Sequence, residues 1–389
     1  KMNLNLNIPI QLYIAMTYCT YLVQKNLGGE YIAEGVPLIL GLIVAFFFLI
    51  KVMNAKFKIR FKTLFFMYLF YFLYITIITL IFIIIDNHNP YRLLFLYQYF
   101  PMFTVILMLG NEHLFHIKRE LILITIGFFA TLSAVFGILQ FLGFEPGVPI
   151  DINRARGLSR STLNYSTLMF LGFVASNLIS KKSLRIVFSL IIFAGVLASQ
   201  GRGGIFACVA FYMAYMLFSN FKVSNIIFSV LSIMVMIFLA YFYLPEDNLK
   251  NFEILTERLL IAFDANDPSN SQRLYSMTKF FDEFRVVGLG AGITGPAAER
   301  FESGTGYESF LLATIVQGGI FGLFMMIVLW STIFLRLSQV KIEIFAYLVG
   351  LIFMMMVSQT LETPSINIMV WLLLIVLIAT DSKEFIENK

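Results

Sequence analysis

Charge is the scarcest commodity in this 389-residue chain. Asp, Glu, Lys and Arg together make up 13% of it, against roughly 25% in an average soluble domain. Only two cysteines are present, Cys19 and Cys208, both inside apolar segments, which excludes a disulfide framework and a zinc-finger pattern. Three histidines leave little room for a histidine-based metal centre. His113 and His116 stand close together, but no third ligand is near, and no metal site is expected. A charged leader followed by a small-residue cleavage site is also missing, so the first apolar segment is expected to be retained. What fills the chain instead is hydrocarbon. Residues of the AVILMFWYC set make up 59%, with 43 Phe, 18 Tyr and a mean hydropathy of +0.84. A soluble globular protein and a disordered chain are both excluded.

A bilayer core takes about 20 apolar residues per helix. Runs of suitable length fall near 8–24, 35–53, 63–85, 93–110, 121–143, 163–180, 186–200, 203–219, 226–244, 308–335, 344–360 and 367–380. The expectation is therefore an all-α, polytopic transmembrane protein of about 12 spans, folded as a single integral membrane domain over 1–389. Open strands cannot span lipid, and these runs lack the alternation of a barrel. One long connection interrupts the pattern, at 245–306.

The basic residues set an orientation. Lys51, Lys56, Lys58, Arg60 and Lys62 share one short loop without an acid, and Lys181, Lys182 and Arg185 share another. These loops are expected to be cytoplasmic, with both termini inside and 245–306 outside. The basic residues also divide by type. Apart from the termini, the inner loops hold nine Lys and four Arg, and the outer loops three Lys and nine Arg. Lysine satisfies an orientation rule, whereas the rigid guanidinium fork suits phosphate in a partly dry site. Basic residues dispersed among apolar runs give no nucleic-acid face. The alternative for any single outer Arg is pairing with the ten acids of the long loop.

Several residues could carry chemistry. Arg202, in Ala198-Ser199-Gln200-Gly201-Arg202-Gly203-Gly204, sits between two apolar runs with almost no loop between them. A charge so close to hydrocarbon pairs, faces water, or merely snorkels from a tight turn. Arg273 heads a stripe of Met277, Phe280, Phe281 and Phe284, the apolar face of an amphipathic helix on the membrane surface. It either snorkels or meets a lipid headgroup. The cluster Val287-Gly288-Leu289-Gly290-Ala291-Gly292 lacks the strand and spacing of a dinucleotide fingerprint. A flexible turn re-entering the membrane is expected there, hinged at Gly288 and Gly290. Glu308, at the outer end of the 308–335 run, is a partner for Arg or a general base, or else a carboxylate favoured by a helix N-terminus. Glu362 is a weaker competitor. Arg154, Arg156 and Arg160 crowd one outer loop against the positive-inside trend, which favours phosphate binding.

The order of these elements resembles the O-antigen polymerase and ligase family, bacterial membrane glycosyltransferases of the C type. The matching stretches are Ala198 to Gly204, Ser271 to Gly292, Glu308-Ser309-Phe310-Leu311, and Gln317-Gly318-Gly319-Ile320-Phe321-Gly322, with Arg156-Gly157 and Asn164 before them. They cover roughly 150–335. In the ligase branch a His stands at the start of the helix after the long loop, where this chain has Glu308, and that difference favours the polymerase branch.

The resemblance implies that Arg202 and Arg273, helped by Arg156, bind the pyrophosphate of an undecaprenyl-linked glycan at the periplasmic face of the inner membrane. Glu308 would then act on the acceptor hydroxyl, with no cofactor and no metal. The expected partners are lipid-linked donor and acceptor glycans, the bilayer and a chain-length regulator, with no nucleic acid. The expected reaction is polymerisation of O-antigen or a related surface polysaccharide. The alternatives are a ligase acting on lipid A core and, from a different class, a transporter or flippase. A transporter predicts broken or charged mid-membrane helices and internal repeats; the sequence has few such charges and no clear duplication.

Overall fold

The computed structural model describes residues 7–20, 62–85, 118–144, 155–159, 161–218, 285–293, 309–338, 341–358 and 363–378, with isolated positions elsewhere. Among the described residues the chain is helical, with no strand. In chain order the helices are α1 (Asn7–Tyr18), α2 (Lys62–Ile85), α3 (Arg119–Phe141), α4 (Thr162–Asn177), α5 (Lys182–Ala198), α6 (Arg202–Phe218), α7 (Phe310–Ser338), α8 (Ile342–Val357) and α9 (Pro364–Ile378). Among the described residues three stretches are long and apolar enough to cross a membrane, Phe65–Ile85, Arg119–Phe141 and Phe310–Thr332; α6, Ile342–Met356 and Ile366–Ile378 are shorter apolar helices. The expected run at 226–244, and most of 35–53, 93–110 and 245–306, lie outside the described residues.

The surface of α2 shows what kind of solvent this fold meets. Phe66, Phe70, Leu73, Ile77, Leu80, Ile81 and Ile84 recur at helical spacing and are all exposed, while Tyr68, Tyr71, Ile75, Ile78 and Thr79 are buried on the opposite side. In water such a stripe would be an aggregation site. In lipid it is the ordinary outward face of a spanning helix.

Lipid supplies no hydrophobic drive for helices to associate, so close packing and hydrogen bonds must do it. Gly127, Ala130, Ala134 and Gly137 form a small-residue stripe along α3. An added Cβ at Gly127 would meet Phe188 of α5, and one at Gly137 would overlap the Tyr165 hydroxyl of α4. Gly172 of α4 presses on Ala130 in the same way, and Gly195 of α5 on Ala134. Helices α4 and α9 form the centre: Tyr165 through Ser176 and Met369 through Ile378 are buried on every side. Tyr18 donates to Leu168 O at 2.8 Å and Tyr347 to Val370 O at 2.8 Å, tying α1 to α4 and α8 to α9. Trp330 of α7 stacks on Trp371 of α9, with centroids 5.4 Å apart.

These contacts sort the helix ends. At one end Arg119 pairs with Glu343, and Glu120 accepts from both the Ser180 amide and hydroxyl at 2.9 Å. At the other end lie the segment before α4, the α5–α6 turn and the starts of α7 and α9. We call this second end the arginine end.

The expected run over 308–335 is present as α7, with an interruption inside it. Helix α7 breaks at Gly319 (φ 65°, ψ −162°), about 14 Å past Phe310 at the α-helical rise of about 1.5 Å per residue. A break there strands backbone groups that hydrocarbon cannot satisfy. The segment 285–293 satisfies them. Leu289 and Gly290 donate to Val316 O and Gln317 O, each at 2.9 Å, and Ile320 donates to Val286 O at 3.1 Å.

Candidate functional site at the arginine end

The turn holding Arg156 is built from a single glutamine. Gln140, buried in the last turn of α3, accepts from the backbone amides of Arg156 and Gly157 through Oε1 at 2.9 Å each. Its Nε2 donates to Gly157 O at 3.3 Å. Leu158 N donates to Ser133 Oγ at 3.1 Å, and Ser159 N closes the turn on Arg156 O at 2.9 Å. Ser161 then caps α4 by accepting from Asn164 N at 3.2 Å, a placement worth about 1 kcal/mol. Asn164 Oδ1 accepts from Thr363 Oγ1 at 3.5 Å, which brings the start of α9 to the start of α4.

Arg202 opens α6 directly after the α5–α6 turn. Ser199 caps the end of α5 by donating to Val196 O at 2.6 Å and accepts from Gly201 N at 3.1 Å. The turn sits hard on α4, because a Cβ at Gly201 would lie 2.5 Å from Ser166 Oγ, and one at Gly204 would also strike that hydroxyl. Gly157 and Gly204 thus press on adjacent residues of α4, Tyr165 and Ser166. Arg156 and Arg202 accordingly flank the same turn of α4, and both are half-buried. Ser309, at the start of α7, is at this end too, donating to Met355 O at 3.5 Å.

The structure therefore brings Arg156, Asn164 and Arg202 to one end of the bundle. Arg273, Glu308, Arg154, Arg160, Glu362, His113 and His116 lie outside the described residues. Gly288 and Gly290 are placed elsewhere, against α2 and the break in α7. Gly288 (φ 80°) could not carry a side chain, since its Cβ would lie 2.5 Å from both Gln317 O and Gly319 N. Around this loop Tyr74 donates to Val287 O at 2.8 Å and to Gly318 O at 3.2 Å, and Thr79 Oγ1 accepts from Ala291 N at 2.8 Å.

Sequence reasoning passed over Arg92 here. It is 1% exposed, and it donates to Leu289 O at 2.7 Å and Ala291 O at 3.1 Å. Nothing in its neighbourhood of the chain distinguishes it from other outer arginines. The Gly318-Gly319 pair inside a long apolar run was the available signal for the break. A cavity of about 60 Å³ lies beside it, lined by Tyr71, Tyr99, Thr314, Gln317, Asn367 and Trp371 among others. That volume is enough for water.

Residues 187–327 match the family model described as O-antigen ligase. The match runs from within α5 through Gln200, Arg202 and the 285–293 segment to the broken α7, and leaves Arg156 outside. No curated protein matches the chain. The motif resemblance read from the sequence and the family match agree over this region: residues 187–327 carry the match to the O-antigen ligase family domain.

Proposed function

We propose that the protein is a glycosyltransferase that polymerises O-antigen or a related surface polysaccharide at the periplasmic face of the bacterial inner membrane. The observation that carries the reading is the gathering of Arg156 and Arg202 at one end of a membrane bundle, within and beside the family domain. The donor is a growing glycan on undecaprenyl pyrophosphate, with its tail in the bilayer. Arg202 and Arg273, helped by Arg156, hold the pyrophosphate and stabilise charge on the leaving group. The guanidinium groups supply the positive charge, so the reading assigns no metal ion and no cofactor. The acceptor is a second lipid-linked repeat unit. Its sugar hydroxyl attacks the anomeric carbon, the bond to the pyrophosphate oxygen breaks, and Glu308 takes the hydroxyl proton. Undecaprenyl pyrophosphate leaves, and the anomeric carbon inverts. The long connection 245–306 serves this face, and a chain-length regulator is a candidate partner.

A ligase is the second reading, favoured by the description of the matched family and opposed by Glu308, which stands where ligases carry His. A transporter is less well supported despite the broken α7. Transporters leave unwound backbone open for substrate or ions, whereas here the 285–293 segment consumes it.

The test is product analysis in membranes carrying Arg202→Ala, Arg273→Ala or Glu308→Gln. Each should lower chain extension by about a hundredfold or more, as removal of an aimed donor does in other enzymes. Single lipid-linked repeat units should accumulate. Normal long chains from all three variants contradict the mechanism, and accumulation of long lipid-linked polymer identifies a ligase. Arg273→Lys is the sharper probe, since it keeps the charge and loses the fork.

A further inference from the structure

Gln200 combines two unfavourable features in one residue. It holds φ 51°, the sole positive φ at a non-glycine position among the described residues, in a turn where the next residue is already a glycine. Its side chain is 2% exposed, yet neither Nε2 nor Oε1 has a hydrogen-bond partner among the described residues. A left-handed backbone costs a residue with a Cβ and costs glycine nothing. A buried amide without partners forfeits its hydration at both atoms. Native structures keep such strain and such orphaned groups mainly where function requires them.

The neighbours share the condition. Ser166 Oγ, against which Gly201 and Gly204 are packed, is buried without a partner, as are Ser159 Oγ and the Tyr165 hydroxyl. Four uncharged polar side chains from the segment before α4, from α4 itself and from the α5–α6 turn thus lie unsatisfied at this end of the bundle, with Ser166 the one packed against the turn that holds Gln200. Arg202 is two residues from Gln200.

The chemistry of the orphaned groups selects their ligand. A pyrophosphate diester offers acceptors only, which suits a guanidinium or an amide Nε2 but leaves Oε1 facing negative charge. A sugar hydroxyl donates and accepts at once, so a pair of hydroxyls answers both ends of a carboxamide and the Ser166 hydroxyl as well. We infer that Gln200, with Ser166 beside it, binds hydroxyl groups of the sugar next to the pyrophosphate and sets which sugar is accepted there. The inference rests on the proposed glycosyl transfer and divides its site in two: Arg202 reads phosphate, and Gln200 reads carbohydrate.

The test compares Gln200→Gly, Gln200→Leu and Arg202→Ala in the full-length protein in lipid nanodiscs. Binding of the lipid-linked repeat unit extracted from the producing cells is measured beside binding of sugar-free undecaprenyl pyrophosphate, together with thermal unfolding. Both Gln200 variants should weaken the sugar-bearing lipid about tenfold, the scale of a lost hydrogen-bond pair. They should leave the sugar-free lipid unchanged, while Arg202→Ala weakens both. Gln200→Gly should unfold at the same temperature as the parent or higher, since the strained backbone is relieved. Equal loss for the two lipids, no loss for either, or a lower unfolding temperature for Gln200→Gly overturns the inference and leaves the amide a structural or water-binding group. If the parent protein binds neither lipid, the glycosyl-transfer reading fails and this one with it.

Discussion

The arginine end and the glycine loop are built from similar materials and treat polar groups in opposite ways. Around the loop, backbone groups freed by the break in α7 are paired with 285–293, and the loop's own carbonyls take hydrogen bonds from Tyr74 and Arg92. At the arginine end, Gln200, Ser159, Tyr165 and Ser166 are buried with side-chain groups that no described residue satisfies. A membrane bundle tolerates irregular backbone only where protein or a polar cavity satisfies it. The loop is thus held by structure, whereas the arginine end keeps polar groups that no described residue answers, as the proposed donor site requires.

Substitutions in the two regions should separate stability from activity. The largest effect is expected at Gly319. Gly319→Val forces a β-branched residue into φ 65° and drives its Cβ into Val286 O. The cost should be about 3 kcal/mol or more, at the upper end for backbone strain, read as lost folded yield and a lowered unfolding temperature in detergent. A well-folded Gly319→Val protein would show that the loop does not dock on the break as described. Arg92→Met comes next. Removing charge-assisted hydrogen bonds to Leu289 and Ala291 should cost about 1.5–3 kcal/mol, with proteolysis within 285–293 rising as the loop loosens. Unchanged protease resistance would remove Arg92 from the account of that loop.

The smallest effect belongs to the opposite end. The Arg119–Glu343 pair is partly exposed, at 18% and 29% of the two side chains. A double-mutant cycle with Arg119→Ala and Glu343→Ala should give a coupling of about 1 kcal/mol or less, with chain extension retained. A strong loss of product from either single variant would break the assignment of chemistry to the arginine end.

The helices were legible from length and hydropathy because a bilayer imposes both. The expected runs at 163–180, 186–200 and 203–219 became Thr162–Asn177, Lys182–Ala198 and Arg202–Phe218. Arg202 was legible for a related reason, since a charge between two apolar runs has few places to go. The break in α7 escaped because its two glycines sit inside a strongly apolar run, and the partner that stabilises the break lies more than twenty residues away in sequence. Arg92 and Gln140 escaped because their roles depend on which carbonyls and amides the fold brings to them. Gln200 lies within the Ala198–Gly204 motif, but its backbone conformation and burial arise from the turn closing onto α4. Arg273 and Glu308 rest on the motif resemblance, being outside the described residues.

Glycosyl transfer from a lipid-linked donor at the arginine end, as proposed above, can be followed with purified protein in proteoliposomes and a defined undecaprenyl-pyrophosphate-linked repeat unit, analysed for chain length with and without Arg202→Ala. The account predicts a ladder of extended lipid-linked glycans from the parent and single repeat units from the variant. An identical ladder from both proteins would contradict it.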